Sequence, residues 1–92
     1  MKLLSRATDF DQLLAQPGLW FPAEAEGTAV IISCPGCGDQ QHLRNKIWKV
    51  AADGTVSPSV DHSQPIRKTD GTVIRDCLFH DYIKLEGWNV PA

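Results

Sequence analysis

The chain has 92 residues, three of them cysteine, with a formal net charge of -2 and a sequence pI near 5.8. That length holds one domain and no second core, and the acidic balance disfavours a duplex-binding role, which needs a basic excess to neutralise phosphates. No apolar run approaches the about 20 residues that span a bilayer, so no membrane partner is expected.

In chain order, Met1-Lys2-Leu3-Leu4-Ser5-Arg6 turns charged too soon to form a signal-peptide core. Thr8 or Asp9 is placed to cap a short helix over Phe10–Ala15, and Pro17-Gly18 stops it. Phe10, Leu13 and Leu14 fall at i, i+3 and i+4, giving that helix one apolar face. Leu19-Trp20-Phe21 forms a hydrophobic clamp ahead of Pro22, and Glu24–Gly27 reads as a turn. Thr28–Ser33 is apolar and β-branched, the pattern of a buried strand that delivers Cys34 at its end. Ile47–Ala51 reads as a second strand, turned by Asp53-Gly54 as a two-residue type I′ hairpin. Ser57-Pro58-Ser59-Val60 ends a strand at a sheet edge, where a proline without an amide donor belongs. Asp61–Thr69 reads as a polar, mobile excursion. A second Asp-Gly at positions 70 and 71 predicts another hairpin between Arg67–Thr69 and Thr72–Ile74. Asp81–Leu85 alternates, Glu86-Gly87 turns, and Trp88-Asn89-Val90 closes the chain. Trp20, Trp48 and Trp88 are the expected core anchors.

The expected fold is therefore α+β and mostly β: a small antiparallel, zinc-ribbon-like sheet with one short N-terminal helix. Residues 1–92 form a single domain, with 1–18 as the helical segment and 19–90 as the β core.

The chemistry lies in Cys34-Pro-Gly-Cys37-Gly and Cys77-Leu-Phe-His80. Each is a pair at a spacing that lets two side chains grip one ion from a single turn, and together they supply the four N/S ligands of a structural zinc site. Gly36 and Gly38 permit positive φ, so the backbone can fold around the metal. A domain this small buries too little surface to be secure without such a staple. A Cys-x-x-Cys redox pair would open a helix inside a βαβ unit. Here a strand leads in and polar Asp39-Gln40-Gln41 leads out. His80 is the expected fourth ligand, with His42 and His62 as alternatives. Asp39 and Asp81 flank the ligands and suit hydrogen bonding to them.

No catalytic signature accompanies these residues. Neither His-x-Glu with Pro-Cys-x-x-Cys nor His-Glu-x-x-His is present, so no enzyme is expected. On an extended segment, His42, Arg44, Lys46 and Trp48 would share one face, and basic groups beside an aromatic can hold a single strand by charge and stacking. Single-stranded nucleic-acid binding is therefore the alternative function. Its competitor is that Trp48 belongs to the core and the basic residues to its solvated rim. An odd cysteine count argues against a secreted disulfide framework, which points to the cytoplasm.

Taken in order, Trp20-Phe21-Pro22, Cys34-Pro-Gly-Cys37-Gly, His42-Leu43, Trp48, Asp-Gly, Pro58-Ser59-Val60, Cys77-x-x-His80 and Gly87-Trp88 resemble a family of small phage, prophage and bacterial proteins believed to bind zinc. The likeness covers residues 19–90. It implies Zn2+ held by Cys34, Cys37, Cys77 and His80, and Pro58-Ser59 as a structural turn. The function expected from the whole is a non-enzymatic, zinc-binding accessory or adaptor protein, phage- or prophage-related, that acts by contacting another protein.

Overall fold

A single buried leucine with exposed neighbours on both sides makes the first element. The computed structural model describes residues 1–23 and 25–88, and in it Lys2–Arg6 is a strand (β1) that buries Leu4 alone. Asp9 rather than Thr8 caps the helix Phe10–Ala15 (α1), its Oδ1 accepting from the Gln12 amide at 2.8 Å. Gln12 Oε1 reaches back to the Thr8 amide at 2.6 Å, a capping box displaced by one residue. Of the three expected apolar residues only Leu13 is buried, against Ala7, Leu19 and Ile31. Phe10 and Leu14 remain exposed, Phe10 meeting the edge of the Phe21 ring.

Leu19–Pro22 (β2), Thr28–Ser33 (β3) and Gln40–Arg44 (β4) follow as an antiparallel meander. Four short strands come next: Lys49–Val50 (β5), Val56–Ser57 (β6), Val60–Asp61 (β7) and Gln64–Arg67 (β8). Val73–Cys77 (β9), His80–Asp81 (β10) and Ile83–Leu85 (β11) end the described chain. The main sheet runs β11-β1-β2-β3-β4. The first half of β1 pairs in parallel with β11, Leu4 opposite Leu85, and its second half pairs in parallel with β2, Arg6 opposite Trp20. Both parallel pairs follow from connectivity: α1 carries the chain across from β1 to β2, and the last strand returns beside the first. The sheet is thus mixed, not purely antiparallel. The expectation of a mostly β chain with one short helix stands, and its antiparallel sheet is corrected to a mixed one.

The remaining strands form two-stranded ladders, β5 with β6, β7 with β10 and β8 with β9. Asp61–Thr69 is largely exposed, as expected, but within it Asp61 pairs in β7 and Gln64–Arg67 form β8. Both Asp-Gly hairpins use one device. In the first, the Gly54 amide donates to Ala51 O, the Ala51 amide to Thr55 O, and the Thr55 amide to Asp53 Oδ1. The second repeats this with Gly71, Lys68, Thr72 and Asp70. These are three-residue loops with glycine at positive φ, 93° and 90°, not the expected two-residue turn.

The core is Leu4, Trp20, Val30, Ile32, Leu43, Val56, Val60, Ile83 and Leu85, with Trp48, Val50, Phe79 and Trp88 packed against it. Trp20 Nε1 donates to Glu86 O at 2.9 Å, and its ring lies 5.4 Å from that of Trp88. Of the expected closing segment, Asn89 and Val90 lie outside the described residues. Among the described residues, no helix is long and apolar enough to cross a membrane.

Candidate metal centre

β3 ends by handing Cys34 to a tight turn. The Cys34 amide donates to Asp39 O and the Gly38 amide to Cys34 O, each at 2.8 Å. Gly38 takes the positive φ this turn requires, 81°. Gly36 is glycine for a different reason, since it is not in the left-handed region. A Cβ there would lie 2.9 Å from Cys77 Sγ and 3.2 Å from Phe79 Cβ, so the missing side chain is what lets the turn close over the third sulfur. Each of the three sulfurs accepts an amide from two residues further on: Cys34 from Gly36 at 3.3 Å, Cys37 from Asp39, and Cys77 from Phe79. These oriented N–H dipoles favour thiolate over thiol.

β9 delivers Cys77, buried, to the same point, and His62 arrives from the end of β7. One donor atom from each of Cys34, Cys37, His62 and Cys77 lies within 4.8 Å of all the others. Cys34 Sγ is 3.6 Å from Cys77 Sγ, and Cys37 Sγ is 3.5 Å from His62 Nδ1. A tetrahedral ion at ordinary Zn–S and Zn–N bond lengths would set these edges at about 3.8 Å and about 3.6 Å. The donor set therefore has the composition and spacing to hold one tetrahedral ion, and thiolates with an imidazole suit zinc better than the hard cations.

The histidine in this group is His62, not His80. The register of β7 against β10 decides it. His80 lies opposite Asp61, and Asp81 opposite Val60. Val60 is buried and Asp61 exposed, so strand alternation turns His62 to the same side as Val60, and its amide pairs with Phe79 O at 2.9 Å. His80 shares the outer face of Asp61, where its Nε2 lies 3.3 Å from Ser59 Oγ. His42 is exposed on β4 opposite Ile31 and takes no part.

Burial pushes the Cys37 thiol up to about 12, against the opposing pull of the Asp39 amide. Burial acts in the same sense on Cys77, but there the Phe79 amide, the Cys34 and Cys37 groups and the Arg75 guanidinium outweigh it and hold the thiol below its usual range. Three sulfurs this close cannot all ionise without a cation between them. Arg75 Nη2 also donates to Gly36 O at 3.3 Å. It sets a positive charge beside a centre that would carry one net negative charge with a divalent ion. Of the two flanking acids, Asp39 accepts from Gln64 Nε2 at 3.3 Å and so ties the turn to β8. Asp81 is not part of the donor group, and its Oδ2 lies 3.6 Å from the N-terminal ammonium.

The expected nucleic-acid face is not assembled. After Arg44 the chain turns, with the amides of Ile47 and Trp48 both donating to Arg44 O at 3.0 and 2.9 Å. The alternation stops there. Trp48 packs against the core with its Nε1 directed at Ser59 O, while Arg44 and Lys46 line a separate cleft with Gly27 and Asn45.

No protein-family model, curated protein or solved structure matches this chain.

Proposed function

We propose that this protein is a zinc-stabilised, non-enzymatic binding module. Cys34, Cys37, His62 and Cys77 hold one Zn2+, and the surface built around the ion contacts another protein. The observation that supports this most directly is the convergence of four N/S donors, from three separate stretches of chain, within 4.8 Å of one another, with two of the separations, 3.6 and 3.5 Å, near the edges of a zinc tetrahedron. Four protein donors complete zinc's usual coordination and leave no position for a substrate or water, the mark of a structural site. The ion would join the β3–β4 turn to β7 and β9. Two-stranded ladders of this kind are marginal alone, so a cross-link there has a structural purpose. The accessory role, phage- or prophage-related and cytoplasmic, belongs to the same reading, which a reducing compartment suits because all three cysteines are unbridged.

Leu78 supports the protein-contact half. It projects from the Cys77 turn at 79% exposure, beside Lys2, Pro35 and Phe79 around a shallow cleft. Native mass spectrometry should find one zinc per chain, and chelator should unfold the protein cooperatively. A chain that is fully folded and metal-free would refute the zinc half. For contact, immobilised zinc-loaded protein should retain a partner that the Leu78→Glu variant, equally zinc-loaded, does not. Equal retention by both would move the interface elsewhere.

A further inference from the structure

The four donors are unequally covered. Cys34 and Cys77 are 0% and 1% exposed. Cys37 is only half-buried and lines an open cleft of about 400 Å3 with Ala15, Gln16, Asp39 and Arg75. Cys34, His62 and Cys77 are not among the residues of that cleft. An agent small enough to enter from the end of α1 therefore meets one sulfur, and it is a thiolate whenever the ion is bound.

From this asymmetry we propose that Cys37 is the site at which hydroperoxides attack the centre, and that Cys34 is its resolving thiol, so that oxidation releases the metal. The inference rests on the zinc reading above and adds regulation to that site. Reactivity of cysteine toward peroxides follows thiolate character and access, and here only Cys37 combines them. The Cys37 thiolate attacks one peroxide oxygen; the S–O bond forms as the O–O bond breaks, leaving Cys37 sulfenic acid and hydroxide. Cys34 thiolate then attacks the Cys37 sulfur, forming the S–S bond as the second hydroxide leaves. Two protons from solvent convert the hydroxides to two waters. The two sulfurs are oxidised by two electrons in all, and the peroxide is reduced. Cys34 is the resolving partner because the Gly38-to-Cys34 hydrogen bond keeps both sulfurs on one turn. Cys77 is carried by the separate β8–β9 ladder, joined to that turn through the exposed Gln64–Asp39 and Arg75–Gly36 hydrogen bonds and, when bound, the ion.

The test uses the full chain, its zinc content first measured by native mass spectrometry. Hydrogen peroxide is added while a chromogenic chelator reports released zinc, and peptide mass spectrometry maps the cysteines with and without dimedone as a sulfenic-acid trap. The expected result is a dimedone adduct on Cys37 before any other cysteine. Without the trap, a Cys34–Cys37 disulfide should form with one zinc released per chain, both reversed by dithiothreitol and added zinc. Ala15→Trp, which fills the cleft from the exposed end of α1, should slow release several-fold with zinc content unchanged. First modification at Cys34 or Cys77, a disulfide that includes Cys77, or zinc retained after Cys37 is oxidised would overturn the proposal while leaving the zinc reading intact. An unaltered rate in a zinc-loaded Ala15→Trp protein would overturn the entry route. A wild-type chain that takes up no zinc before peroxide is added would remove both readings together.

Discussion

Replacing His62 and His80 separately by alanine tests the geometry of the centre most directly, because the two histidines differ in little except the face on which they fall. Structural zinc in small domains contributes about 10–16 kcal/mol, so one of four ligands is worth about 3 kcal/mol, or roughly a hundredfold in affinity. His62→Ala should therefore weaken zinc binding by roughly a hundredfold in a competitive chelator titration, and lower the melting temperature of the zinc-loaded protein. His62→Cys, which restores a fourth soft donor, should recover most of the loss. His80→Ala removes only the 3.3 Å contact with Ser59 at an exposed position. Surface changes of that kind stay within about 0.5 kcal/mol, which is about twofold in affinity at most. A chain in which His80→Ala lost its zinc while His62→Ala kept it would refute the register argument, since no rotamer change exchanges the two faces of a strand.

Other outcomes follow from the packing. Gly54 and Gly71 occupy the same position of the same loop at nearly the same φ, but a Cβ on Gly54 runs into the Leu85 carbonyl while one on Gly71 meets nothing. Gly71→Ala should cost about 1 kcal/mol from backbone strain, and Gly54→Ala distinctly more, in denaturant titrations of the zinc-loaded protein; equal costs would deny the contact. Gly36→Ala should lower zinc affinity more than it lowers the stability of the main sheet, because its new methyl presses on Cys77 Sγ, and chelator competition measured beside a melt separates the two. Leu4→Ala should cost about 2–5 kcal/mol with zinc still bound, whereas a cost under 1 kcal/mol would show that β1 is not the interior strand described here. The carboxyls of Asp53, Asp61 and Asp70 are all held below the ordinary aspartate value, chiefly by the amides of Thr55, Ser63 and Thr72. A lowered folded value means that their contribution is complete above the unfolded aspartate value and is lost as pH falls through the folded one. Carboxyl NMR titration should place all three midpoints below ordinary aspartate values, and a raised midpoint at any of them would contradict the turn geometry.

What was legible in the sequence is what local chain determines. Cys34 and Cys37 could be read as partners because the two intervening residues of a tight turn are enough to bring them together. The helix cap was legible because Asp9 and Gln12 are neighbours on the first turn. The Asp-Gly hairpins were legible as hairpins, but not their loop length, since Asp-Gly serves a two-residue turn and the last two places of a three-residue loop equally well. β1 could not be seen at all. Lys2–Arg6 has one buried side chain and no persuasive alternation, and it is a strand because β11 and β2, more than a dozen residues away or at the far end of the chain, offer it two edges. Trp48 packs against the core as expected; what failed is the alternative extended face over residues 42–48, which the turn after Arg44 breaks through backbone hydrogen bonds that no side chain announces.

The fourth donor shows where local reading fails and what would have replaced it. Cys77-x-x-His80 looks like a ligand pair because the spacing matches a zinc knuckle, yet the knuckle at Cys77 is completed by the Phe79 amide, and His80 belongs to the next strand. A strand gives each residue one of two faces, so the choice between histidines reduces to parity relative to a residue whose side is known. Val60 supplies that reference, since an isolated β-branched residue among Ser59, Asp61 and Ser63 must be the one that faces inward. Counting two from Val60 reaches His62. Counting across the ladder from Asp61 reaches His80, on the side away from the sulfurs. The first half of that argument needs only sequence. The second needs the pairing of β7 with β10, two residues long and joining segments some twenty residues apart, which no pattern in either segment specifies.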